Sequence, residues 1–394
     1  MKIRNCSRGV IFFQLAAVAV FASEPAEKNF APTPADSAAK LPQISAAIKP
    51  AAILDAMQRV ADWQLANPSV TAKSPANGWV QAVGYTGMMA LAGISKNPKY
   101  HDAMMQMAEG NAWMPGARKY HADDHAVGQT YAELFLMHRD ARMIAPMRAE
   151  FDEILTDPKD VDLVFKKEAG ALDRWSWCDS LFMAPPAWIR LWAATGDTRY
   201  LDFAVTHWWK TSDYLFDKEE HLFFRDSTFF EKREANGKKV FWSRGNAWVM
   251  GGLVRVLQFL PKDHPSRARF VAQFREMAEK IVALQQPDGL WHPSLLDPAS
   301  YPIKETSGSA LYCYAFAWGA NEGFLDRKKF LPAAEKAWSS LIGCVNPEGR
   351  LTHVQPIGFD PKQFDENSTE PFGIGAFLLA GSEMYRMAKP KDAK

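Results

Sequence analysis

Two kinds of segment alternate along most of the chain. One kind is apolar on nearly every side, built from Ala, Leu, Met, Gly and aromatic residues, and occurs at 86–92, 127–132, 180–183, 244–250, 307–312 and 372–379. Uniform apolarity of this sort marks a helix buried on all faces. The other kind sets apolar residues at helical spacing against charges, at 47–65, 100–111, 141–155, 199–210, 266–285 and 328–343, which is the pattern of a helix with one wet face. The pairs recur at roughly 40 to 70 residues, a period that suits repeated helical hairpins. Strand signals are few, at 222–230 and 239–242 on either side of Asn236-Gly237. The pattern predicts an all-α chain folded as an (α/α)6 barrel of six inner and six outer helices, with an open superhelix of hairpins as the competing arrangement. In a closed ring the inner helices all run the same way, so their N-terminal ends meet at one mouth.

The first residues stand outside this pattern. Lys2, Arg4 and Arg8 precede an apolar run at 10–21 broken only by Gln14, and Val20-Phe21-Ala22 resembles a small-residue cleavage site. This predicts a signal peptide over 1–22 and export across an inner membrane to the periplasm. The run is too short to span a bilayer comfortably, and no later segment competes with it. Residues 23–45 are rich in Ala, Pro, Glu and Lys and read as a flexible leader. A single catalytic barrel is expected over 46–390, because no comparable linker interrupts it.

Composition narrows the function classes. Cleavage after Ala22 would turn a formal net charge of +1 into −2, which argues against a nucleic-acid or membrane-surface partner. Cys178, Cys313 and Cys344 are too sparse for a disulfide framework, although one Cys313–Cys344 bridge is allowed in an oxidising compartment. Fourteen Trp and 25 Phe supply both core and surfaces on which sugar rings stack.

The chemistry collects where the inner helices begin. Asn77-Gly78-Trp79 with Tyr85, His121-Ala122-Asp123-Asp124-His125, Trp175 to Asp179, Trp242-Ser243-Arg244 with Trp248, Glu305-Thr306-Ser307 and Ser368-Thr369-Glu370 each precede or open a buried segment. Any one of them serves as a cap or a wet loop, but six converging on one mouth point to a site. Asp179 lies among indoles and either caps the helix from Ser180 or donates a proton. A helix N-terminus contributes at most about 2 kcal/mol toward ionisation. Full burial raises a carboxyl pKa by roughly 3 to 5 units, or about 4 to 7 kcal/mol, so burial wins. Asp124 is the better candidate of the adjacent pair to face the mouth, with Asp123 as cap. His121 and His125 share helical spacing, but without HExxH or a further nearby His a structural or substrate-orienting role outweighs a metal site. Arg244 suits an anionic substrate through its paired donors, and a structural ion pair suits it nearly as well. Trp79, Trp175, Trp177 and Trp242 are candidates for a sugar platform.

With these residues in view, the chain resembles the unsaturated rhamnogalacturonyl hydrolases of glycoside hydrolase family 105 and, more distantly, the unsaturated glucuronyl hydrolases of family 88. The resemblance rests on His121-Ala122-Asp123-Asp124-His125-Ala126-Val127-Gly128-Gln129, on Trp177-Cys178-Asp179-Ser180-Leu181-Phe182-Met183-Ala184-Pro185-Pro186 and on Trp242-Ser243-Arg244-Gly245-Asn246-Ala247-Trp248. It implies the (α/α)6 barrel, no metal and no other cofactor. It also implies a lyase-generated oligosaccharide, from rhamnogalacturonan, that ends in a 4,5-unsaturated uronic acid. By motif, Asp179 is the implied general acid and base, Asp124 its partner, and Arg244 and Trp248 substrate contacts. Trp79, Tyr85, His125, Trp175 and Trp177 complete the expected binding set. Ala247 stands where such motifs often carry Gly. A polysaccharide lyase with Tyr85 as base, an epimerase on the same barrel, or a non-catalytic sugar-binding barrel are the alternatives.

Overall fold

A computed structural model describes residues 43–68, 74–159, 162–166, 168, 170 and 172–389. The expected signal peptide and nearly all of the leader lie outside these residues. Fourteen α-helices are found among the described residues: α1 (Pro50–Ala66), α2 (Trp79–Ala92), α3 (Lys99–Gly110), α4 (Ala122–His125), α5 (Gly128–His138), α6 (Ala145–Thr156), α7 (Ser180–Met183), α8 (Pro185–Thr195), α9 (Thr198–Leu215), α10 (Ser243–Leu257), α11 (Arg267–Val282), α12 (Thr306–Asn321), α13 (Arg327–Ile342) and α14 (Pro371–Ala388).

The apolar and amphipathic segments separate as their patterning dictates. All of α10 is buried, and so is α12 up to Ala320, whereas α9 buries one stripe that includes Tyr200, Leu201, Ala204, Trp208 and Leu215. The side chain of Asp197 accepts from Arg199 N at 3.1 Å and starts that helix. Two inner positions are broken helices. Chain 122–138 pauses between α4 and α5, and Pro185 and Pro186, which lack an amide proton, restart the helix as α8 after α7.

The inner helices pack in the sequence α2, α5, α8, α10, α12, α14, and α14 packs back on α2. The ring is therefore closed, which excludes the open superhelix. Outside it, α3 leans on α2, α9 on α8, α11 on α10, α13 on α12 and α1 on α14. Closure depends on small residues: a Cβ on Gly87 would collide with the Gly375 carbonyl oxygen, and one on Gly375 would collide with that of Val83. Only backbone fits there.

The β content differs from expectation. Leu222–Phe223 pairs with Phe216–Asp217, upstream of it, in a two-stranded antiparallel ladder. The Asn236-Gly237 turn is spanned by a single Arg233–Lys239 bridge, while Trp242 bridges to Ser294. Cys178, Cys313 and Cys344 are free and buried, so the Cys313–Cys344 bridge does not form.

Candidate active site

Residues at or near the starts of α2, α4, α7 and α10 line a cleft of about 310 Å³. Trp79 opens α2, Asp123 lies in α4, Asp179 precedes α7 and Met183 ends it, and Trp242, Arg244 and Trp248 come from the start of α10. Arg225 and the segment before α14 that carries Ile357, Gly358, Phe359 and Lys362 complete the wall.

Asp179 occupies the cap position of α7, yet its carboxylate makes no cap hydrogen bond. It faces the cleft instead. Its Oδ2 lies 3.7 Å from Arg225 Nε and 3.5 Å from Cys178 Sγ, whose thiol donates to it. Burial raises its pKa, against the lowering pull of Arg225 and Arg244.

Asp123, not Asp124, is the second cleft carboxyl. Asp124 is turned toward Arg118, accepting from its backbone N at 2.7 Å and from Nη2 at 2.5 Å. Neighbouring side chains on a helix point about 100° apart, so seating Asp124 on Arg118 sends Asp123 into the cleft. Neither acid is the cap of α4; His121 Nδ1 accepts from Asp123 N at 3.3 Å in that role. Burial first, with the nearby Asp179 and Asp124 charges adding to it, pushes the Asp123 carboxyl up to about 7 despite Arg118 and Arg225. Burial thus raises both cleft carboxyls, and the Asp123 value of about 7 lies near neutrality.

The aromatic wall is built in layers. Trp79 stacks on Phe372 at 5.2 Å and meets Trp248 edge-on at 6.3 Å, and Trp177 packs on His121 at 4.9 Å. Arg244 is sandwiched between Trp242 and Phe372, 4.6 and 4.9 Å from the ring centres. Its Nη1 donates to Gln355 O and its Nη2 to Pro356 O at 2.9 Å. Two of its donor groups are thus spent on holding the 355–362 loop, which the sequence could not foretell.

Besides Asp124, three expected site residues lie elsewhere. Tyr85 is not a cleft residue; its hydroxyl donates to Ala76 O at 2.8 Å. Trp175 is buried with φ of +57° and packs on Phe203 and His207. His125 is buried beneath the cleft between Lys119 O, 2.7 Å from Nε2, and Trp188 Nε1, which donates to Nδ1 at 3.2 Å. Burial lowers its pKa to about 4. With both nitrogens occupied, it serves the core and is unavailable to a ligand or metal.

Arg225 and the 355–362 loop are functional candidates that the periodicity did not single out. The one local signal for Arg225 was a charged pair, Arg225-Asp226, ending an apolar run. It reaches the site because Cys178 N donates to Arg225 O at 2.8 Å and Trp177 bridges to Asp226.

Comparisons with known proteins bear on the family and the fold. Residues 55–388 match Glycosyl Hydrolase Family 88. Two curated relatives named unsaturated 3S-rhamnoglycuronyl hydrolase are 38% identical over 84% of this chain and 90% of the protein from Formosa agariphila, and 37% identical over 83% of this chain and 84% of the protein from Alteromonas sp.. A solved family 88 structure from Bacteroides vulgatus superposes with a TM-score of 0.77 at 31% identity, covering 86% of this chain and 99% of its own. A second solved chain, described as a polysaccharide lyase, matches at the same TM-score and identity. Matched over most of its length by family, sequence and structure, the chain belongs to glycosyl hydrolase family 88 and is a glycoside hydrolase.

Proposed function

We propose that the enzyme removes a 4,5-unsaturated uronic acid from the non-reducing end of lyase-generated oligosaccharides by hydrating its vinyl ether. The observation that carries this reading is the pair of cleft carboxyls, Asp123 and Asp179, both raised by burial and walled by indoles. A vinyl ether needs a carbon-directed proton, and a carboxyl whose pKa is raised by burial is suited to supply one.

Protonated Asp179 donates to C4, and the C4–C5 double bond becomes a C4–H bond with oxocarbenium character shared by C5 and the ring oxygen. Arg225 beside Asp179 stabilises the carboxylate formed in that step. A water then adds at C5 and gives a proton back to the carboxyl pair, restoring the enzyme. The C5 hemiketal opens and the remaining sugar leaves without attack at the anomeric carbon, so the carboxyl-separation rule for ordinary glycosidases does not apply. Arg225 has 14% of its side chain exposed, whereas Arg244 is only 1% exposed. The uronate carboxylate therefore meets Arg225, and Arg244 orders the wall. The relatives' name supports a leaving sugar of 3-sulfated rhamnose over the unsubstituted rhamnose of rhamnogalacturonan.

The test is loss of the conjugated alkene's ultraviolet absorbance with lyase-generated oligosaccharides. Asp179→Asn is expected to keep the fold and cut the rate at least about 100-fold, the scale of a lost general acid. Unchanged absorbance with the wild-type protein across unsaturated uronides rejects the reading. The lyase reading, which the second solved chain's description favours, predicts the opposite: rising absorbance on intact polysaccharide.

A further inference from the structure

The cleft has one wall whose composition the proton chemistry does not explain. Ile357 and Phe359 are 56% and 45% exposed, and both line the cleft that holds the two acids. Large apolar side chains left in water on a slack loop would be unremarkable. This loop is not slack. Gln355 is buried and accepts from Trp242 Nε1 at 2.9 Å, its amide nitrogen donates to Asp360 O at 2.9 Å, and its backbone N donates to Glu305 at 3.3 Å. Arg244 clamps the carbonyls of Gln355 and Pro356 from below. The fold therefore holds an apolar face open to water, where conformational freedom would otherwise let it collapse.

Phe359 is also flanked by cations. Arg225 lies 5.6 Å and Lys362 5.2 Å from its ring centre, and Asp360 steadies Lys362 from 3.1 Å. An ammonium has three donors, so Lys362 keeps capacity for an incoming anion beyond that pairing, and more than half of its side chain is exposed. A flat apolar ring next to a wet cation suits a pyranose ring bearing an anionic substituent.

The geometry points to the 355–362 loop as the subsite for the leaving sugar, with Phe359 as the platform under its ring and Lys362 as the contact to its sulfate. This rests on the unsaturated-uronide reading above and assigns the residues that select the sugar linked to the uronate. Phe359 sets affinity for any leaving pyranose. Lys362 discriminates sulfated from unsulfated sugars.

The experiment compares wild type, Phe359→Ala and Lys362→Gln on three substrates: the unsaturated uronide of 3-sulfated rhamnose, that of unsubstituted rhamnose, and a methyl glycoside of the unsaturated uronic acid. Phe359→Ala is expected to lower kcat/KM about 10-fold on both disaccharides and by clearly less on the methyl glycoside, with its fold checked by circular dichroism. Lys362→Gln is expected to lower kcat/KM about 10-fold on the sulfated disaccharide alone, the scale of one charge-assisted hydrogen bond. If wild type consumes the disaccharides and both variants match it, or Lys362→Gln lowers both disaccharides equally, the subsite assignment is overturned. If wild type consumes none of the three, the underlying function fails instead.

Discussion

Asp123 shows what a working acid costs its host. Its side chain is 17% exposed and close enough to Asp179 and Asp124 for their charges to act on it. The folded protein consequently binds its proton more tightly than the unfolded chain does. The resulting stability is present at acid pH, below the unfolded value of 3.8, and is lost as pH rises through about 7. The gap between those values corresponds to at most about 4 kcal/mol. Asp123→Asn removes this loss, so the variant is expected to gain stability over wild type at pH 8 and much less at pH 5, as urea denaturation at the two pH values will read. His121 and His125, pushed down by burial to about 3 and about 4, act in the opposite sense: their stability is lost as pH falls from 6.5. They are present in both proteins and leave the comparison intact. An equal difference at pH 5 and pH 8 would mean that the fold does not hold Asp123 protonated.

The inner helices are joined away from the cleft by a second, wholly structural set of charges. Glu133 of α5 accepts from Arg190 of α8 at 2.7 Å and from Arg255 of α10 at 2.8 Å, and Arg255 also donates to Gln129 at 2.5 Å. Burial alone would raise the Glu133 pKa, but Arg255 and Arg190 hold it below the ordinary value. Both guanidiniums are nearly inaccessible, so removing their shared anion leaves two buried cations facing each other. Such losses cost about 3 to 5 kcal/mol. Glu133→Gln is expected to lower the urea midpoint accordingly while wild-type geometry persists at the cleft; an unmoved midpoint would deny the cluster its role. Nothing in the local pattern of α5 identifies it, because the partners lie 57 and 122 residues away.

At the scale of the whole molecule, the barrel is closed by backbone packed on backbone between α2 and α14. Gly375→Ala would drive a methyl group onto the Val83 carbonyl. Overpacking of this kind costs about 1 to 3 kcal/mol, so a lower thermal midpoint is expected. Gly110→Ala is the control, since a Cβ there meets nothing within 4 Å and Ala is the better helix former. If the two variants melt alike, the close approach of α2 and α14 is not what limits closure. The same closure brings Trp79, Asp123, Asp179 and Trp242 to one cleft from four separate helical units.

Hydrophobic periodicity alone carried the helical hairpins, their division into inner and outer members and the convergence of polar helix starts, since a helix's apolar stripe is a property of its own residues. That reading placed Asp179, Trp177, Trp79, Trp248 and Arg244 at the cleft, where they are found. Periodicity resolves a turn of helix but not which of two adjacent side chains points inward. Arg118 decided that by taking Asp124 and leaving Asp123 to the site. Burial of His125 and Trp175 was likewise settled by neighbours distant in sequence, whereas Tyr85 is held by Ala76, 9 residues away. The recruitment of Arg225 depended on a bridge between 177 and 226, and the ordering of the 355–362 loop on a clamp from Arg244. Local sequence determines which segments must hide from water; only tertiary packing determines which polar groups find partners there and which remain free for chemistry.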